Sequence, residues 1–325
     1  MRKILGLVAA LAVGIAIAAP AAGQGETPAF RPTKTVTIIV PYTPGGGTDA
    51  VGRLMGRALE EMWGQPVIVD NRTGGNGSVG AAIVARAPPD GHMMVLAVWG
   101  LAINAHVMKL PYDTATAFAP VTAVAYPITT LIATPDLPAN DLRQLADLVH
   151  KEGQGKRTFA SSETGTRLSG ERIFEKADIK TLNIPYKGAA AFVNDIAAGR
   201  VDLGVSSVTS ALSLINAGRL KSLGIMGTKR IPALPNVATF REQGFTGLDE
   251  NSWYGLFAPA NTPPATVAAI QQDIAKVLAR PAFQAKLIDY GALPGGDTPA
   301  AFSERFQRDL KESGEMIRRL GITTD

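Results

Sequence analysis

The stretch VPYTPGGGTDAVGRLMGRAL, residues 40–59, places three consecutive glycines between a β-branched run and an apolar-periodic segment. The run TVTIIV, residues 35–40, is bounded by Pro41 and predicts a β-strand. After the glycines, Thr48 and Asp49 are good N-cap candidates for a helix. Apolar residues then recur at helical spacing, at Val51, Leu54, Met55, Ala58 and Met62. A strand, a glycine loop and an amphipathic helix in this order indicate the first unit of an α/β fold.

The same alternation of strands and helices continues along the chain. Apolar runs at residues 67–69 and 93–98 predict two more strands, and between them a glycine-rich loop ends at Ser78, a candidate helix cap. After the proline-rich segment 135–140 the plan restarts, with strands predicted at residues 157–160 and 201–205 and a repeat of the strand, loop and helix arrangement from residue 182 to residue 190. Two amphipathic helices that begin with proline are predicted near the C-terminus. We therefore expect two α/β lobes with right-handed crossovers.

The N-terminus predicts a secretory signal peptide over residues 1–21. Arg2 and Lys3 precede a fifteen-residue apolar run, residues 4–18, and the small residues 19–21 form an A-x-A cleavage pattern. A membrane anchor is disfavoured because spanning a bilayer takes ~20 apolar residues. Cleavage would lower the formal net charge from +4 to +2, because it removes two of 32 basic residues and none of 28 acidic ones. So small a surplus indicates no nucleic-acid partner.

Cysteine is absent, which excludes disulfides, thiolate nucleophiles and cysteine-based metal sites. The three histidines, His92, His106 and His150, have no metal-ligand spacing, so we expect no metal and no cofactor. The sequence GNGSVG is one position away from the G-x-S-x-G elbow of hydrolases, and no base is evident near a candidate serine. No catalytic set is therefore visible.

A dinucleotide site is the first alternative for the glycine loop. Gly45, Gly47 and Ala50 fit G-x-G-x-x-G/A between a strand and a helix, and Asp70 lies where a ribose-binding acid is expected. Against it, the charge of Asp49 in the first helical turn would oppose a pyrophosphate there. Export would also carry the chain away from nucleotide cofactors, so this alternative is disfavoured.

Anion capture is the second alternative. A glycine loop that enters a helix N-terminus presents backbone N–H groups and a positive dipole end. The sequence repeats this arrangement at residues 43–49, 161–166 and 187–190. Any one such loop is explained equally well as a plain connection between a strand and a helix. Three of them in two lobes favour a cleft that grips a carboxylate.

The chain resembles the solute-binding proteins of tripartite tricarboxylate transporters, the Bug or TctC family. Segments in order along the mature chain carry the resemblance: VPYTPGGGTDAVGRLM, VIVDNRTGGNGSVGAAIVARAPPDGHMMVLA, LPYDTATAFAPVT, IPYKGAAAFVNDIAAGRVDL, AGRLKSLGIMGTKRIPALPNVATFREQGF and WYGLFAPANTPP. The resemblance implies a type II periplasmic binding fold, in which each lobe is a mostly parallel sheet flanked by helices. It further implies crossover strands near 121–133 and 252–258. Lobe 1 would then comprise residues 31–126 plus 255–325, and lobe 2 residues 127–254.

The resemblance also implies how the ligand is held. A carboxylate would lie between the lobes, bound by backbone amides and ordered waters from the first glycine loop and the facing loops. Asp49 would be a helix cap or a water anchor, because direct contact between two carboxylates is repulsive. The implied first-loop residues are Tyr42, Pro44, Gly45, Gly46, Gly47 and Asp49. The implied facing residues are Ser161, Ser162, Thr164, Gly165, Thr166, Tyr186, Lys187, Gly188 and Ala189.

The second-lobe loop departs from the family pattern. Relatives typically have glycine in place of Glu163, which could repel a second carboxylate or accept from an amine. Arg167 is a candidate ligand contact, with an i,i+4 pair to Glu171 as the alternative. Trp99 is a candidate pocket wall, with core packing as the alternative, and Trp253 is expected to brace the crossover.

These observations predict an exported, periplasmic binding protein that captures a small organic carboxylate and delivers it to membrane transporter subunits. We expect a monomer without a nucleic-acid partner. Two alternatives from other classes stay open at this point. One is a module that presents a bound ligand to a membrane receptor, and the other is an exported enzyme on the same fold.

Overall fold

The structure, a computed structural model, describes residues 30–162, 164–249 and 252–321, so the predicted signal peptide lies outside the described residues. In chain order the strands are β1 (Val36–Val40), β2 (Val67–Asn71), β3 (Met93–Val98), β4 (Phe118–Pro127), β5 (Thr129–Ala133), β6 (Thr158–Ser161), β7 (Leu182–Pro185), β8 (Leu203–Ser207), β9 (Lys221–Ile225), β10 (Tyr254–Pro259) and β11 (Ala292–Pro294). The α-helices are α1 (Gly47–Trp63), α2 (Ser78–Ala85), α3 (Gly100–Val107), α4 (Leu142–Glu152), α5 (Thr164–Ala177), α6 (Ala189–Ala197), α7 (Val208–Asn216), α8 (Pro264–Leu278), α9 (Pro281–Asp289) and α10 (Pro299–Leu320).

The first sheet has the strand order β11-β4-β10-β3-β1-β2. Neighbours β1, β2 and β3 are parallel, whereas β10 runs antiparallel to β3 and β4, and β11 antiparallel to β4. Both faces are covered. Val36, Ile38 and Val40 pack with apolar residues of α1, α8 and α9, while Ile39 and Val95 pack on the other face with residues of α2, α3 and α10. The strands therefore read as near-continuous apolar runs.

The second sheet has the strand order β7-β6-β8-β5-β9. Strand β6 is parallel to β7 and β8, and β5 is antiparallel to β8 and β9. Phe159 of β6 packs edge-on against Phe174 of α5, with ring centroids 5.0 Å apart, and both side chains are fully buried. Burial of each such side chain stabilises the fold by roughly 1.5–3 kcal/mol. Helices α6 and α7 cover the other face through Phe192, Ile196 and Ala211.

The chain changes sheet between β4 and β5, inside the crossover predicted near 121–133. A single residue, Ile128, separates them; its N–H donates to Gly291 O at 3.1 Å and its carbonyl accepts from Val208 N at 2.7 Å. Strand β10, in the second predicted crossover, pairs in the first sheet. Membership of the two sheets is thus compatible with the expected lobes, whose residue boundaries stay a prediction.

Two predicted helix caps are wrong. The N-cap of α1 is Gly46, so that Thr48 and Asp49 lie inside the first turn. The N-cap of α2 is Gly77, and Ser78 is the first helical residue. Gly77 has φ 92°, a left-handed conformation that glycine adopts at no steric cost, and this explains why the chain turns one residue earlier than expected.

Trp253 braces β10 as expected. Its side chain is buried, and its Nε1 donates to Asp309 Oδ2 of α10 at 2.8 Å. Its ring meets Phe302 edge-on, with centroids 5.5 Å apart. The indole thus joins the strand to the C-terminal helix by packing and by a hydrogen bond. Within the part of the chain that is described, no helix combines the length and apolar character needed to cross a bilayer.

Candidate functional site

A cavity of about 590 Å³ lies between the two sheets. Its lining includes residues of the first turns or N-caps of six helices: α1, α2, α3, α5, α6 and α7. The first N–H groups of a helix have no partner within the helix, and its N-terminal end carries a partial positive charge. The cavity therefore offers backbone donors from both sheets to an anionic group.

The first glycine loop meets the second sheet at Gly47. The Gly47 N–H donates to Ser210 Oγ of α7 at 2.9 Å. A Cβ on Gly47 would lie 2.8 Å from Ser207 Oγ and even closer to the Tyr254 hydroxyl. Glycine is required here for close approach, because any side chain would separate α1 from α7.

Asp49 holds the first glycine loop from within the lining of the cavity. Its buried carboxylate accepts from the Gly45 N–H at 3.0 Å, from Asn71 Nδ2 at 3.0 Å and from Arg53 Nε at 3.1 Å. Burial by itself would raise the pKa of the Asp49 carboxyl, but these hydrogen bonds and the charge of Arg53 lower it below its ordinary value. The Asp49 carboxylate is therefore ionised, and the Arg53 guanidinium compensates its charge. It accepts from the backbone of the preceding loop, much as the acidic residue of a capping box does.

Helix α7 contributes a serine cluster to the cavity. Ser207 is its N-cap, and the Ser207 Oγ accepts from the Ser210 N–H at 3.3 Å. The hydroxyls of Ser207 and Ser210 lie 3.0 Å apart, and Ser206 lines the cavity beside them. Hydroxyls can rotate to donate or accept, so this cluster adds adaptable donors to the helix N-terminus.

The second glycine loop, residues 72–77 between β2 and α2, contacts the second sheet through a series of polar side chains. Asn76 Nδ2 donates to Thr164 Oγ1 at 3.3 Å, and Thr164 Oγ1 donates to Asn104 Oδ1 at 3.2 Å. Asn104 Nδ2 in turn donates to the Asn76 carbonyl at 2.9 Å. The network joins this loop and α3 to the first residue of α5, and it closes the cavity on that side.

The loop before α6 closes a third side. Gly188 packs against the Thr43 side chain, where a Cβ would lie 3.2 Å from Thr43 Cβ. Lys187 and Ala189 line the cavity on either side of this contact. The Tyr186 ring lines the cavity, but its hydroxyl donates to Asp195 Oδ2 at 2.8 Å. Burial and the neighbouring Asp195 raise the pKa of Tyr186.

Aromatic side chains form part of the walls. Trp99, the N-cap of α3, lines the cavity and also packs against two apolar clusters, so that its contact with a ligand stays a prediction. Tyr42 and Tyr254 line the cavity as well. Such rings provide apolar surface for the carbon skeleton of a ligand.

Most of the residues predicted for the site lie around this one cavity. Those that line it are Tyr42, Gly46, Gly47, Asp49, Trp99, Ser162, Gly165, Thr166, Tyr186, Lys187, Gly188 and Ala189. The others, Pro44, Gly45, Ser161, Thr164 and Arg167, are outside the lining. Pro44 and Gly45 are exposed on the loop, and Ser161 Oγ donates to Asn183 Oδ1 at 2.7 Å. Arg167 lies near Glu171, where burial raises the pKa of the carboxyl and the arginine charge partly offsets that effect. The predicted role of Glu163 falls outside the described residues.

Sequence reasoning missed several lining residues. The serine cluster of α7 and the second glycine loop were interpreted as connections or left unassigned. The sequence VSSVTSALS does contain a serine N-cap signal at Ser207, which could have identified α7. The missed polar residues of the lining are Thr43, Thr48, Thr73, Asn76, Thr129, Ser169, Ser206, Ser207, Ser210 and Ser252.

Comparison with known proteins finds similarity over most of the chain. The model of the tripartite tricarboxylate transporter family receptor matches residues 51–322. A relative from Pseudomonas sp. (strain P51), the UPF0065 protein in the tcbD-tcbE intergenic region, is 34% identical over 290 residues, which cover 88% of this chain and 86% of that protein.

Solved structures share the fold. The periplasmic binding protein BugD is 31% identical with a TM-score of 0.83, over 90% of this chain and 100% of that one. The R. palustris protein Rpa4515 with adipate is 31% identical with a TM-score of 0.86, over 90% of this chain and 99% of that one. The two-sheet α/β architecture is thus that of periplasmic binding proteins, as the sequence predicted.

Proposed function

The chain belongs to the tripartite tricarboxylate transporter receptor family, and we propose that it captures a small organic carboxylate between two lobes. In this proposal the lobes are residues 31–126 with 255–325, and residues 127–254. The loaded protein then delivers its ligand to the membrane subunits of a transporter. Export to the periplasm through the predicted signal peptide and action as a monomer complete the proposal.

One observation carries this proposal: the N-terminal ends of six helices, at their N-caps or first turns, line a single cavity between the two sheets. Backbone N–H groups at helix ends stabilise a carboxylate by charge-assisted hydrogen bonds. The described lining contains one cation, Lys187, and one carboxylate, Asp49, whose charge is already compensated. Negative charge is therefore more favourable in this cavity than positive charge.

Similarity supports the ligand class and the partner. Rpa4515, which shares 31% identity and the same fold, was solved with adipate, a linear dicarboxylate. BugD is a periplasmic binding protein, and the matching family is described as a transporter receptor. We assign ligand contacts to the loops that contain Gly46, Gly47, Ser162, Gly165 and Gly188.

A thermal-shift screen of the mature protein tests the proposal. The panel contains mono-, di- and aromatic carboxylates, with matched neutral amides and sugars as controls. A ligand that binds only the folded state raises the melting temperature by mass action, with a shift that grows as its concentration passes Kd. The proposal predicts such a saturable shift for at least one carboxylate and none for its amide.

The same samples separate the alternatives. Recovery of the carboxylate unchanged after prolonged incubation is expected of a binding protein, whereas conversion to a product would indicate an enzyme. Uptake of the labelled carboxylate should be lost on deletion of the gene. Normal uptake together with a lost transcriptional response would indicate a sensory module instead. A shift produced only by neutral solutes would contradict carboxylate capture.

A further inference from the structure

A second, smaller cavity lies beside the first in the part of the chain that is described. Its volume is about 30 Å³, which is room for roughly two water molecules. We call it the side cavity; it is bounded by α5, through Arg172, and by α10, through Arg305, Asp309 and Glu312. The two arginines and the two acids give its described lining a formal charge of zero. The side cavity therefore suits a neutral polar group better than an ion.

Four described residues line both cavities and so form the wall between them: Trp99, Thr129, Ser169 and Ser252. Among these four only Trp99 is large, and the others are small residues with a hydroxyl. The Trp99 side chain packs against an apolar cluster that includes Leu168 of α5 and Ile317 of α10, the two helices that bound the side cavity. It also packs against the apolar cluster between the first sheet and α10. Because it is held by both clusters, the indole cannot turn aside without breaking close packing.

The hydroxyls of this wall are available for hydrogen bonds. Thr129 and Ser169 are only 7% and 8% exposed. Within the described ranges, neither hydroxyl has a hydrogen-bond partner in the protein. Most buried hydroxyls are hydrogen-bonded, because leaving one unpaired costs desolvation free energy. A polar group that reaches the wall would therefore find two hydroxyls that the fold leaves unused.

We infer that Trp99 sets the maximum length of the ligand, as the wall at which its carbon chain must end. The inference rests on the proposed function, because it requires a carboxylate at the helix N-termini of the same cavity. A chain that extends from there towards α5 and α10 meets the indole. The side cavity alone is too small for several methylene groups, but together with the space of a deleted indole it would accept them and their polar end.

The experiment measures calorimetric Kd values along a series of chain lengths. The probes are butyrate, hexanoate, octanoate and decanoate, their ω-hydroxy derivatives, and the straight-chain diacids of the same lengths. Trp99→Ala removes the wall, and Trp99→Leu is a milder variant that keeps apolar packing. Trp99→Ala combined with Ser169→Leu fills the opened space from the opposite helix. Tyr42→Ala is the matched control, because Tyr42 lines the first cavity and not the side cavity.

In the wild type, affinity should rise with chain length up to a limit and fall beyond it. Trp99→Ala should move this limit to a longer member, with a gain of about ten- to fifteenfold for the two methylenes that separate neighbouring members. In that variant the ω-hydroxy acid should bind about two- to tenfold more tightly than the plain acid of the same length, as a neutral hydrogen bond permits. Trp99→Leu should shift the limit less, and Ser169→Leu should restore it. Tyr42→Ala should weaken all members without moving the limit.

Several results would overturn the inference. A wild-type affinity that keeps rising to decanoate would show that no wall exists, and an unchanged limit in Trp99→Ala would show that the wall is elsewhere. If Trp99→Ala does not fold, an unchanged limit in Trp99→Leu decides against the inference. Failure of both the wild type and the variants to bind any member would also refute it. The aromatic carboxylates of the thermal-shift screen then show whether the proposed function fails as well, so that the two failures are distinguished.

Discussion

Replacing Gly188 with alanine should weaken ligand binding without unfolding the protein. Gly188 has φ 177°, extended backbone that alanine adopts without strain. The added Cβ would lie well inside contact distance of Thr43 Oγ1, 3.1 Å from Thr43 Cγ2 and 3.2 Å from Thr43 Cβ. Thr43 follows a strand of the first sheet and Gly188 precedes a helix of the second. The clash therefore falls on the closed arrangement of the two sheets and not on either core.

The size of the effect follows from this geometry. Overpacking by one methyl group in a close contact costs about 1–3 kcal/mol. Rotation of the Thr43 hydroxyl away from the new methyl gives the lower value, and the fixed Cβ–Cβ contact gives the upper one. If only the closed state binds tightly, the apparent Kd rises by the same free energy, roughly five- to 150-fold.

Calorimetric titration with the best carboxylate of the screen measures this loss. Urea unfolding without ligand should give a free energy of unfolding within about 0.5 kcal/mol of the wild-type value, because the substitution leaves both cores intact. The matched control is Thr43→Ala, which removes Oγ1 and Cγ2 from the contact. Alone it should bind almost as the wild type does, and combined with Gly188→Ala it should recover most of the lost affinity. Equal affinity of Gly188→Ala and wild type, or no recovery in the double variant, would refute the reasoning.

Three further substitutions test other parts of the site and fold. Asp49→Asn should destabilise the protein more at pH 7 than at pH 3 in urea unfolding. A carboxyl whose pKa is lowered in the folded state stabilises the fold above its unfolded pKa of ~4, and this contribution is lost as the pH falls through the folded-state pKa. A difference in stability that does not change with pH would contradict this. Thr164→Val should weaken ligand binding by about 1–3 kcal/mol in calorimetry, because the buried Asn104 Oδ1 loses the donor that joins the two sheets here. An affinity equal to that of the wild type would show that this contact does not support closure. Trp253→Phe should lower the free energy of unfolding by roughly 1–3 kcal/mol through the loss of its hydrogen bond to Asp309, with carboxylate affinity unchanged. A change in carboxylate affinity would show that the indole acts on the site.

Three strands of the first sheet, β1, β2 and β3, were predictable because their signals are strong and local, whereas β11 was not predicted. The run at residues 35–40 is β-branched and buried along almost its whole length, and the structure has β1 at Val36–Val40. Helix α7 and strand β9 were not predicted. Apolar residues of α7, namely Val208, Ala211, Leu212 and Ile215, recur at helical spacing, but the helix spans only nine residues, too few for a distinct pattern. Short elements of this kind are decided by tertiary packing rather than by local pattern.

The site was predictable as a set of loops but not as a set of contacts. Glycines at a strand-to-helix junction indicate a close approach, and Gly47 and Gly188 both make one. The partners of these glycines are Ser207 and Thr43, which are ordinary polar residues in the sequence. Nothing local distinguishes them, because the pairing depends on how the two sheets face each other. The same reason explains why Asn76 and Asn104 were missed: their role exists only in the network that they share with Thr164.

In the proposed function, closure of the two lobes and anion binding depend on each other. Three contacts across the cavity, Thr43 with Gly188, Gly47 with Ser210 and Asn76 with Thr164, bring helix N-termini of both sheets towards the same space. Like ends of dipoles repel, so their convergence is unfavourable until negative charge lies between them. A ligand shifts an equilibrium only by its differential affinity for the two states, and an anion gains most where donors from both sheets reach it. A neutral solute of the same shape would relieve none of that repulsion, so it should not stabilise the closed form, and this is why the amide controls should give no thermal shift.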